Sequence, residues 1–388
     1  MNNKPQTKFT EVIFVITIAV ITIILCLVPT DQRYQSAGSG SIEARCRVLE
    51  TDNSTVFQKG IFKMGEQTVT VQILDGPDQG REVTAMNLLQ GALELEWFFQ
   101  PGDKGIVGYA KDNGQIIAAR MLEPLRENSM LTIFLIFFIA LLGLAGWVGV
   151  KAVVSFAFTI ILIWKVLIPY SIEGKFDPIL LAILIVATLC FVVIFLVAGF
   201  TKKGWSAFLG AFGGAILTWI LPMLFGEWMK VNGSTSEYST ALRFSGYENL
   251  DLMKLFYAAI ILSASGAIMD IAMDIAAAMA EIKEKKPEIG CRELIQSGLN
   301  IGRLIIGTMS NTLLMAYSGG ALTMLMFLMA KGISAWRILN MNYLASETLK
   351  TISGSIGLIM TVPLTAIISG IILNRHHQTD HKLPLMKP

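Results

Sequence analysis

The chain has 388 residues, of which 53% are hydrophobic and 15% are charged. Soluble domains carry about 25% charged residues, so this composition favours a membrane protein over a soluble globular one. The formal net charge is only +2, and no basic patch is interleaved with aromatic residues, which argues against a nucleic-acid partner. The lipid bilayer is therefore the first partner that the sequence predicts.

Eight apolar segments are long enough to cross a bilayer, which takes about 20 residues per helix. They cover residues 12–28, 130–147, 150–168, 178–200, 205–225, 252–280, 304–330 and 352–373. We predict an all-α polytopic membrane domain of about eight transmembrane helices. The chain then divides into an N-terminal tail and anchor (1–29), an exported domain (30–128), a seven-helix membrane domain (129–374) and a C-terminal tail (375–388).

Basic residues set the orientation, because Lys and Arg are enriched in cytoplasmic loops. They are more numerous on one set of helix ends, which includes Lys202, Lys203 and the run from Lys283 to Lys286. This side is predicted to be the cytoplasm, with both termini there and the protein in a bacterial cell membrane. The first segment fits a signal anchor better than a cleaved signal peptide, because its apolar run is long and no clear cleavage site follows Pro29.

The exported segment has the pattern of β-strands. Ile42, Ala44, Cys46 and Val48 alternate with polar or larger neighbours in SIEARCRVLE, and QTVTVQIL alternates in the same way. Gly-containing turns separate the runs, and AKDNGQ is typical of a hairpin. We predict a small all-β extracytoplasmic domain, a barrel or a sandwich, with an OB-like fold among the alternatives.

Catalytic chemistry finds little support. All three histidines, His376, His377 and His381, lie in the C-terminal tail, so no Ser-His-Asp, Cys-His or histidine-metal site can form in the membrane or exported parts without that tail. A nucleotide-binding loop of the G-x-x-x-x-G-K-[ST] type does not occur. We expect neither an enzyme nor a cofactor, and any metal ligand is left open.

Acidic residues interrupt the sixth predicted helix, in ASGAIMDIAMDIAAAMAEI. Asp270, Asp274 and Glu281 are separated by four and seven residues, so they share one helix face. Two ionised carboxylates facing lipid near the helix centre would cost roughly 5–7 kcal/mol, so this face must meet protein or water. Small residues such as Gly266 beside them would let a partner helix approach closely.

The seventh predicted helix is the expected partner, because Asn300, Arg303, Gly307 and Asn311 trace one polar face. Thr308 and Ser310 lie beside it. If Glu281 and Arg303 form an ion pair at the membrane interface, Asp274 reaches the depth of Ser310 and Asn311. Two interpretations follow: the polar residues are structural glue between the helices, or Asp270 and Asp274 bind a cation or exchange a proton on a substrate path.

In the last predicted helix, Pro363 follows a run of Ser and Gly residues in SGSIGLIMTVPLT. Such a position favours an interrupted helix, which in transporters often lines the site.

Four stretches together resemble the YibE/F-like family of bacterial multi-pass membrane proteins. They are LIPYSIEGKFDPI, VAGFTKKGWSAFLGAFGGAIL, GAIMDIAMDIAAAMAEI and SGLNIGRLIIGTMSNTLLMAYSGGAL. The resemblance runs from about Glu123 to the last helix and implies the layout above, but no established activity. One departure is Leu304, which follows Arg303 where the family pattern usually has an acidic residue.

The leading hypothesis is a transporter-like protein that moves a cation or small solute, with Asp270, Asp274, Thr308, Ser310 and Asn311 as its polar centre. A homo-oligomer or a related membrane subunit is a further expected partner. The alternative is a non-transporting scaffold whose exported domain recruits an envelope partner. An intramembrane enzyme ranks third, because the companion motifs of intramembrane aspartyl proteases are absent from the sequence.

Overall fold

A computed structural model describes residues 4–29, 41–92, 96–236 and 238–374. It contains two compact units. One comprises Pro29–Leu144 and carries a β-barrel, and the other comprises Met1–Val28 with Ala145–Pro388 and is helical. The tail with His376, His377 and His381 lies outside the described residues.

The β unit is built on six strands. They are β1 (Ile42–Asp52), β2 (Phe57–Lys59), β3 (Phe62–Ile73), β4 (Glu82–Leu89), β5 (Lys104–Asp112) and β6 (Gln115–Pro124). Five of them close in the order β1–β3–β4–β6–β5–β1, while β2 pairs only with β3. The β4–β6 pair is parallel and the other pairs are antiparallel. The predicted small β-domain is therefore a barrel and not a sandwich.

Alternating residues fill the barrel, as the sequence pattern predicts. Ala44, Cys46 and Val48 of β1 point inward, and so do Val69 and the next alternate residues of β3. The predicted hairpin joins β5 to β6, where Asn113 and Gly114 both adopt positive φ (49° and 78°). Such angles suit a two-residue turn that matches strand twist.

A carboxylate beneath the barrel surface is fully satisfied. Asp78 accepts a hydrogen bond from Tyr109 Oη (2.8 Å) and lies 2.5 Å from Lys111 Nζ and 3.0 Å from Arg81 Nη1. The hydrogen bond from Lys111 holds the Asp78 pKa below its usual value, whereas burial raises the pKa of Tyr109 to about 12. These contacts fix the turn between β3 and β4 against the β5–β6 hairpin.

The α-helices follow one another along the chain from the N-terminal anchor to the long last helix. They are α1 (Lys4–Leu27), α2 (Glu127–Leu162), α3 (Ile168–Ile172), α4 (Pro178–Ala198), α5 (Lys202–Gly226), α6 (Ser239–Phe244), α7 (Leu252–Lys285), α8 (Cys291–Gly320), α9 (Leu322–Ala330), α10 (Ala335–Leu339) and α11 (Asn342–Asn374). A π-helical turn, Ile163–Leu167, joins α2 to α3.

The predicted number of eight transmembrane helices is not confirmed. Among the described residues, six helices are long and apolar enough to span a membrane, or seven if the bent pair α8 and α9 counts as one span. The segments predicted at 130–147 and 150–168 fall in one run, broken by non-helical angles at Gly146 (φ 53°, ψ −124°). The segment predicted at 304–330 bends by 58° between α8 and α9.

Capping residues explain where several helices begin. Asp177 accepts hydrogen bonds from the backbone N–H groups of Ile179 and Leu180 before α4, and Asp251 caps α7 in the same way. Pro178 at the first position of α4 has no N–H that needs a partner. Asp177 also lies 2.7 Å from Lys254 Nζ, so one carboxylate ties the start of α4 to the start of α7.

Within the helical unit, α7 packs against α4, α5 and α11, and α8 packs mainly against α11. The core contains Ile268, Ile271, Ile275 and Met279 of α7, all fully buried. At the edge of the unit, α1 packs against α2 and α4 through Val15 and Ile18. Glu11 of α1 forms an ion pair of 2.6 Å with Lys151 of α2, which is only 6% exposed.

The predicted interruption at Pro363 is not found, because α11 continues through it from Asn342 to Asn374. A proline removes one backbone hydrogen bond from a helix. Packing on both sides holds α11 together, since Val362 is buried against Gly302 and Thr365 is buried against Gly210.

Candidate functional site

One face of α7 is exposed over most of its length. Its members occur at intervals of three or four residues, as neighbours on a helix face do. They are Ser263, Gly266, Asp270, Asp274, Ala277 and Glu281; we call this set the α7 polar face. The opposite face forms the core of the helical unit, so this sequence places its carboxylates away from the packed side of α7.

The polar residues of α8 are also exposed. Asn300, Arg303, Gly307, Thr308 and Asn311 lie on the open side of the helix, whereas Ser310 is half-buried. The other side of α8 carries glycines. A Cβ atom at Gly302 would overlap Val362 of α11, and one at Gly298 would overlap Met279 of α7. The small residues of α8 therefore set its packing on α7 and α11, which leaves its polar side outward.

The predicted ion pair between Glu281 and Arg303 is wrong. Glu281 lies 2.7 Å from Lys285, four residues later on α7, and Arg303 donates to Asn300 Oδ1 at 3.2 Å on α8. Each charged group finds a partner within its own helix, where spacings of three and four residues bring side chains together.

The predicted hydrogen-bonded contact between Asp274 and the polar residues of α8 is also not found among the described residues. Ser310 Oγ is buried without a hydrogen-bond partner in the described part of the chain. Thr308 Oγ1 donates to the backbone carbonyl of Ile305 on its own helix (3.0 Å). Asp270 and Asp274 remain on the open face of α7, so the structure does not use them to join the two helices.

Part of each polar face borders open space in the described part of the chain. A Cβ atom added at Gly266 of α7 or at Gly307 of α8 would meet no atom within 4 Å. The helices make contact nearer their ends, where Tyr317 Oη donates to Ser263 Oγ at 2.9 Å and Met279 packs on Gly298. The close helix approach expected at Gly266 does not occur among the described residues.

A cavity of about 360 Å³ lies where α7, α8 and α11 meet beside Ser263. Phe256 and Ala259 of α7 and Ala316 of α8 provide apolar walls. The polar lining includes Tyr317 of α8 with Tyr343, Glu347 and Lys350 of α11. The charged side chains of the cavity, Glu347 and Lys350, come from the first turns of α11.

The charged residues of the cavity form a compact cluster. Lys350 Nζ lies 3.6 Å from Glu347 Oε1 and 4.9 Å from the centroid of the Tyr317 ring. Both charged side chains are about three-quarters buried (27% and 24% exposed). An ammonium over an aromatic face is attracted by the ring quadrupole, so this position stabilises Lys350 in addition to its ion pair.

Sequence reasoning alone does not single out Tyr317, Glu347 and Lys350. The apolar pattern predicts the last helix from residue 352, so Glu347 and Lys350 fall in a loop, whereas the structure begins α11 at Asn342. The available signal is the spacing of Glu347 and Lys350 by three residues, which is a helical ion-pair spacing.

Within the ranges that the structure describes, no group of three or more His, Cys, Asp or Glu side chains is arranged to hold a metal ion. Asp270 and Asp274 alone supply two carboxylates on consecutive turns. What they could hold is a monovalent cation or a proton, together with water.

A known protein family includes the helices that carry the polar faces and the cavity. A family model described as YibE/F-like protein matches residues 133–375. The chain belongs to the YibE/F-like family. No curated protein and no solved structure matches it. In this YibE/F-like chain the matched part contains α7, α8, α11 and the cavity between them, whereas the β-barrel lies before it.

Proposed function

We propose that this YibE/F-like protein is a transporter-like protein of the bacterial cell membrane that moves a cation or a small solute along the α7 polar face. One observation carries the proposal: the polar face is exposed from Ser263 to Glu281. That length corresponds to about 27 Å at roughly 1.5 Å per residue, which is close to the hydrocarbon thickness of about 30 Å.

The free-energy cost of placing a carboxylate in lipid argues that water, and not lipid, contacts the α7 polar face. An aspartate at the centre of a lipid-facing helix costs about 2.5–3.5 kcal/mol on the insertion scale. Asp270 and Asp274 lie one turn apart, and they have no partner from α8 to offset that cost. Intramembrane carboxylates mark ion and proton paths in many pumps and transporters. A cation gradient would drive transport through protonation or ion binding at this pair.

The proposed orientation follows from the basic residues. Lys283, Lys285 and Lys286 at the end of α7 favour the cytoplasm at that end. The beginning of α7, the end of α8 and the cavity would then lie on the opposite side of the membrane. The barrel is proposed to be OB-like, because its five long strands close with a single parallel pair.

A flux assay tests the proposal. Purified protein in vesicles is expected to dissipate an imposed Na⁺, K⁺ or proton gradient, read with an internal pH dye and ion-selective indicators. Replacing both carboxylates, Asp270→Asn with Asp274→Asn, should reduce the flux at least tenfold. Glu284→Gln is the matched control, because Glu284 is an exposed acidic residue of α7 beyond the polar face. Unchanged flux in a correctly folded double variant would reject the path.

The scaffold remains the second candidate, and exposed apolar side chains of the barrel favour it. Phe57 and Ile61 at the β2–β3 hairpin are 58% and 74% exposed, and Leu88 on β4 is 58% exposed. Exposed apolar groups in proximity are typical of protein-contact surfaces. Phe57→Ser with Ile61→Ser would abolish capture of an envelope partner if this is the role. Wild-type flux in that variant would assign transport to the helices alone.

A further inference from the structure

The cavity beside Ser263 contains a charge pair that is looser than a closed ion pair. Lys350 and Glu347 are 3.6 Å apart, whereas the pairs Lys151–Glu11 and Lys254–Asp177 measure 2.6 and 2.7 Å. Charge-assisted hydrogen bonds between nitrogen and oxygen are about 2.7–2.9 Å long. The ammonium and the carboxylate in the cavity therefore retain capacity for a further partner.

The charge balance of the cavity selects the class of that partner. Glu347 and Lys350 contribute one negative and one positive group at about equal burial. A ligand with only an ammonium would satisfy the carboxylate and leave Lys350 without its partner, and a ligand with only a carboxylate would do the reverse. A partly buried charge whose partner is removed is destabilising. A ligand with both groups satisfies both residues.

The rest of the lining suits the remainder of such a molecule. Phe256, Ala259 and Ala316 present apolar surface next to the charged wall. The Tyr317 ring faces the Lys350 ammonium and so helps to hold that side chain at the cavity wall. A volume of about 360 Å³ lies within the range of small-molecule sites, about 300–1,000 Å³.

We propose that this cavity binds a small zwitterion of the α-amino-acid type, with its ammonium at Glu347 and its carboxylate at Lys350. The binding site connects to the α7 polar face through the hydrogen bond between Tyr317 and Ser263. This inference rests on the proposed function only for the subsequent movement of the ligand, because binding itself needs no transport.

Thermal unfolding of the full-length protein in detergent tests the binding. The probes are alanine, leucine and phenylalanine, with two analogues of leucine: 3-methylbutylamine, which lacks the carboxylate, and 4-methylpentanoate, which lacks the ammonium. A ligand that binds only the folded state raises the unfolding temperature with its concentration. At least one amino acid is expected to raise it by several degrees, and the two analogues at equal concentration should not.

Variants assign the effect to the cavity. Glu347→Gln and Lys350→Met should each weaken binding at least tenfold, whereas Lys350→Arg should retain it because the positive charge remains. Lys254→Met is the matched control, since Lys254 belongs to an exposed ion pair outside the cavity lining. If Lys350→Met does not fold, Glu347→Gln and Lys350→Arg still make the comparison.

Two results would overturn the inference. The first is that none of the three amino acids shifts the unfolding temperature of folded protein. The second is an equal shift with 3-methylbutylamine and leucine, which would mean that the site recognises an ammonium alone. The transport proposal fails separately: an amino acid that stabilises the protein without any flux across vesicles leaves the binding site in place and rejects the path.

Discussion

Two helix pairs of this protein use small and polar residues in opposite ways. Between α5 and α11, glycines receive hydroxyl side chains: a Cβ atom at Gly214 would overlap Thr361 Oγ1, and one at Gly357 would overlap Thr218 Oγ1. Along α7 and α8, Gly266 and Gly307 face open space. Glycine next to a polar residue is therefore not enough to identify a packed helix pair, because the opposite helix must supply a side chain that fills the gap.

The polar side chains of the two helix pairs differ in the same way as their glycines do. Thr218, Thr361 and Thr365 between α5 and α11 are fully buried, and the hydroxyls of Thr218 and Thr361 donate to carbonyls of their own helices. Asp270 and Asp274 on α7 are exposed and ionisable. The first interface holds the fold together, and the second face is available for another role. Four sets of variants measure how far this division extends.

The largest expected effect on stability comes from breaking the buried ion pair between Glu11 and Lys151. Lys151 is buried, and Glu11 is its ion-pair partner, so Glu11→Gln leaves an ammonium without its carboxylate. We expect a loss of about 3 kcal/mol in the free energy of unfolding, at the lower end of the range for broken buried pairs because Glu11 is one-third exposed. Unfolding in a detergent–SDS titration measures it. Glu284→Gln is the control, and equal losses in the two variants would contradict the assignment.

The next largest effect is expected for a glycine packed between α5 and α11. Gly214→Ala should lower the free energy of unfolding by about 1–3 kcal/mol, because the added methyl group overlaps Thr361. Gly307→Ala is the matched variant in open space and should stabilise α8 by up to about 1 kcal/mol, since alanine favours a helix. Adding Thr361→Ala to Gly214→Ala should recover part of the loss. Similar losses for Gly214→Ala and Gly307→Ala would mean that α8 is also packed there.

The bridge between the two polar faces has a smaller effect. Tyr317→Phe removes the hydrogen bond to Ser263 Oγ and should lower the free energy of unfolding by about 0.6 kcal/mol, the average for hydrogen bonds between membrane helices. Ser263→Ala should act through the same bond. The double variant is therefore expected to cost less than the two single losses together. Full additivity would show that the hydroxyls act independently.

The smallest effect is expected on the open face of α7. Asp274→Asn and Asp270→Asn should each change the free energy of unfolding by no more than about 0.5 kcal/mol, as is usual for exposed positions. The same titration measures both. A loss above about 2 kcal/mol in either variant would show that the carboxylate has a structural partner, which would restore the interpretation of this face as glue.

The sequence predicts the parts of the fold that depend on local periodicity. The alternation of Ala44, Cys46 and Val48 identifies the inward face of β1, and spacings of four and seven place Asp270, Asp274 and Glu281 on one face of α7. The apolar segment predicted from residue 178 begins where α4 begins, at Pro178. These features follow from the geometry of single elements, so neighbouring residues determine them.

Features that depend on how elements meet are harder to predict. The bend after Gly320 falls within a continuous apolar run, so hydropathy gives no sign of it. Lys350 and Glu347 interrupt the apolar pattern and shorten the predicted last helix, although they pair inside it. The pairing of Glu281 with Arg303 assumed that α8 turns its polar side to α7. Its glycines instead pack against Met279 and Val362, and that rotation depends on three helices at once.

The ion pair between Glu11 and Lys151 also bears on how the protein matures. Proteolytic removal of α1 during export would take away the carboxylate and leave Lys151 buried with its charge. It would also uncover the surface of α2 and α4 that Val15 and Ile18 cover. We therefore expect α1 to stay with the helical unit, and intact-mass spectrometry of protein extracted from membranes should find α1 still attached.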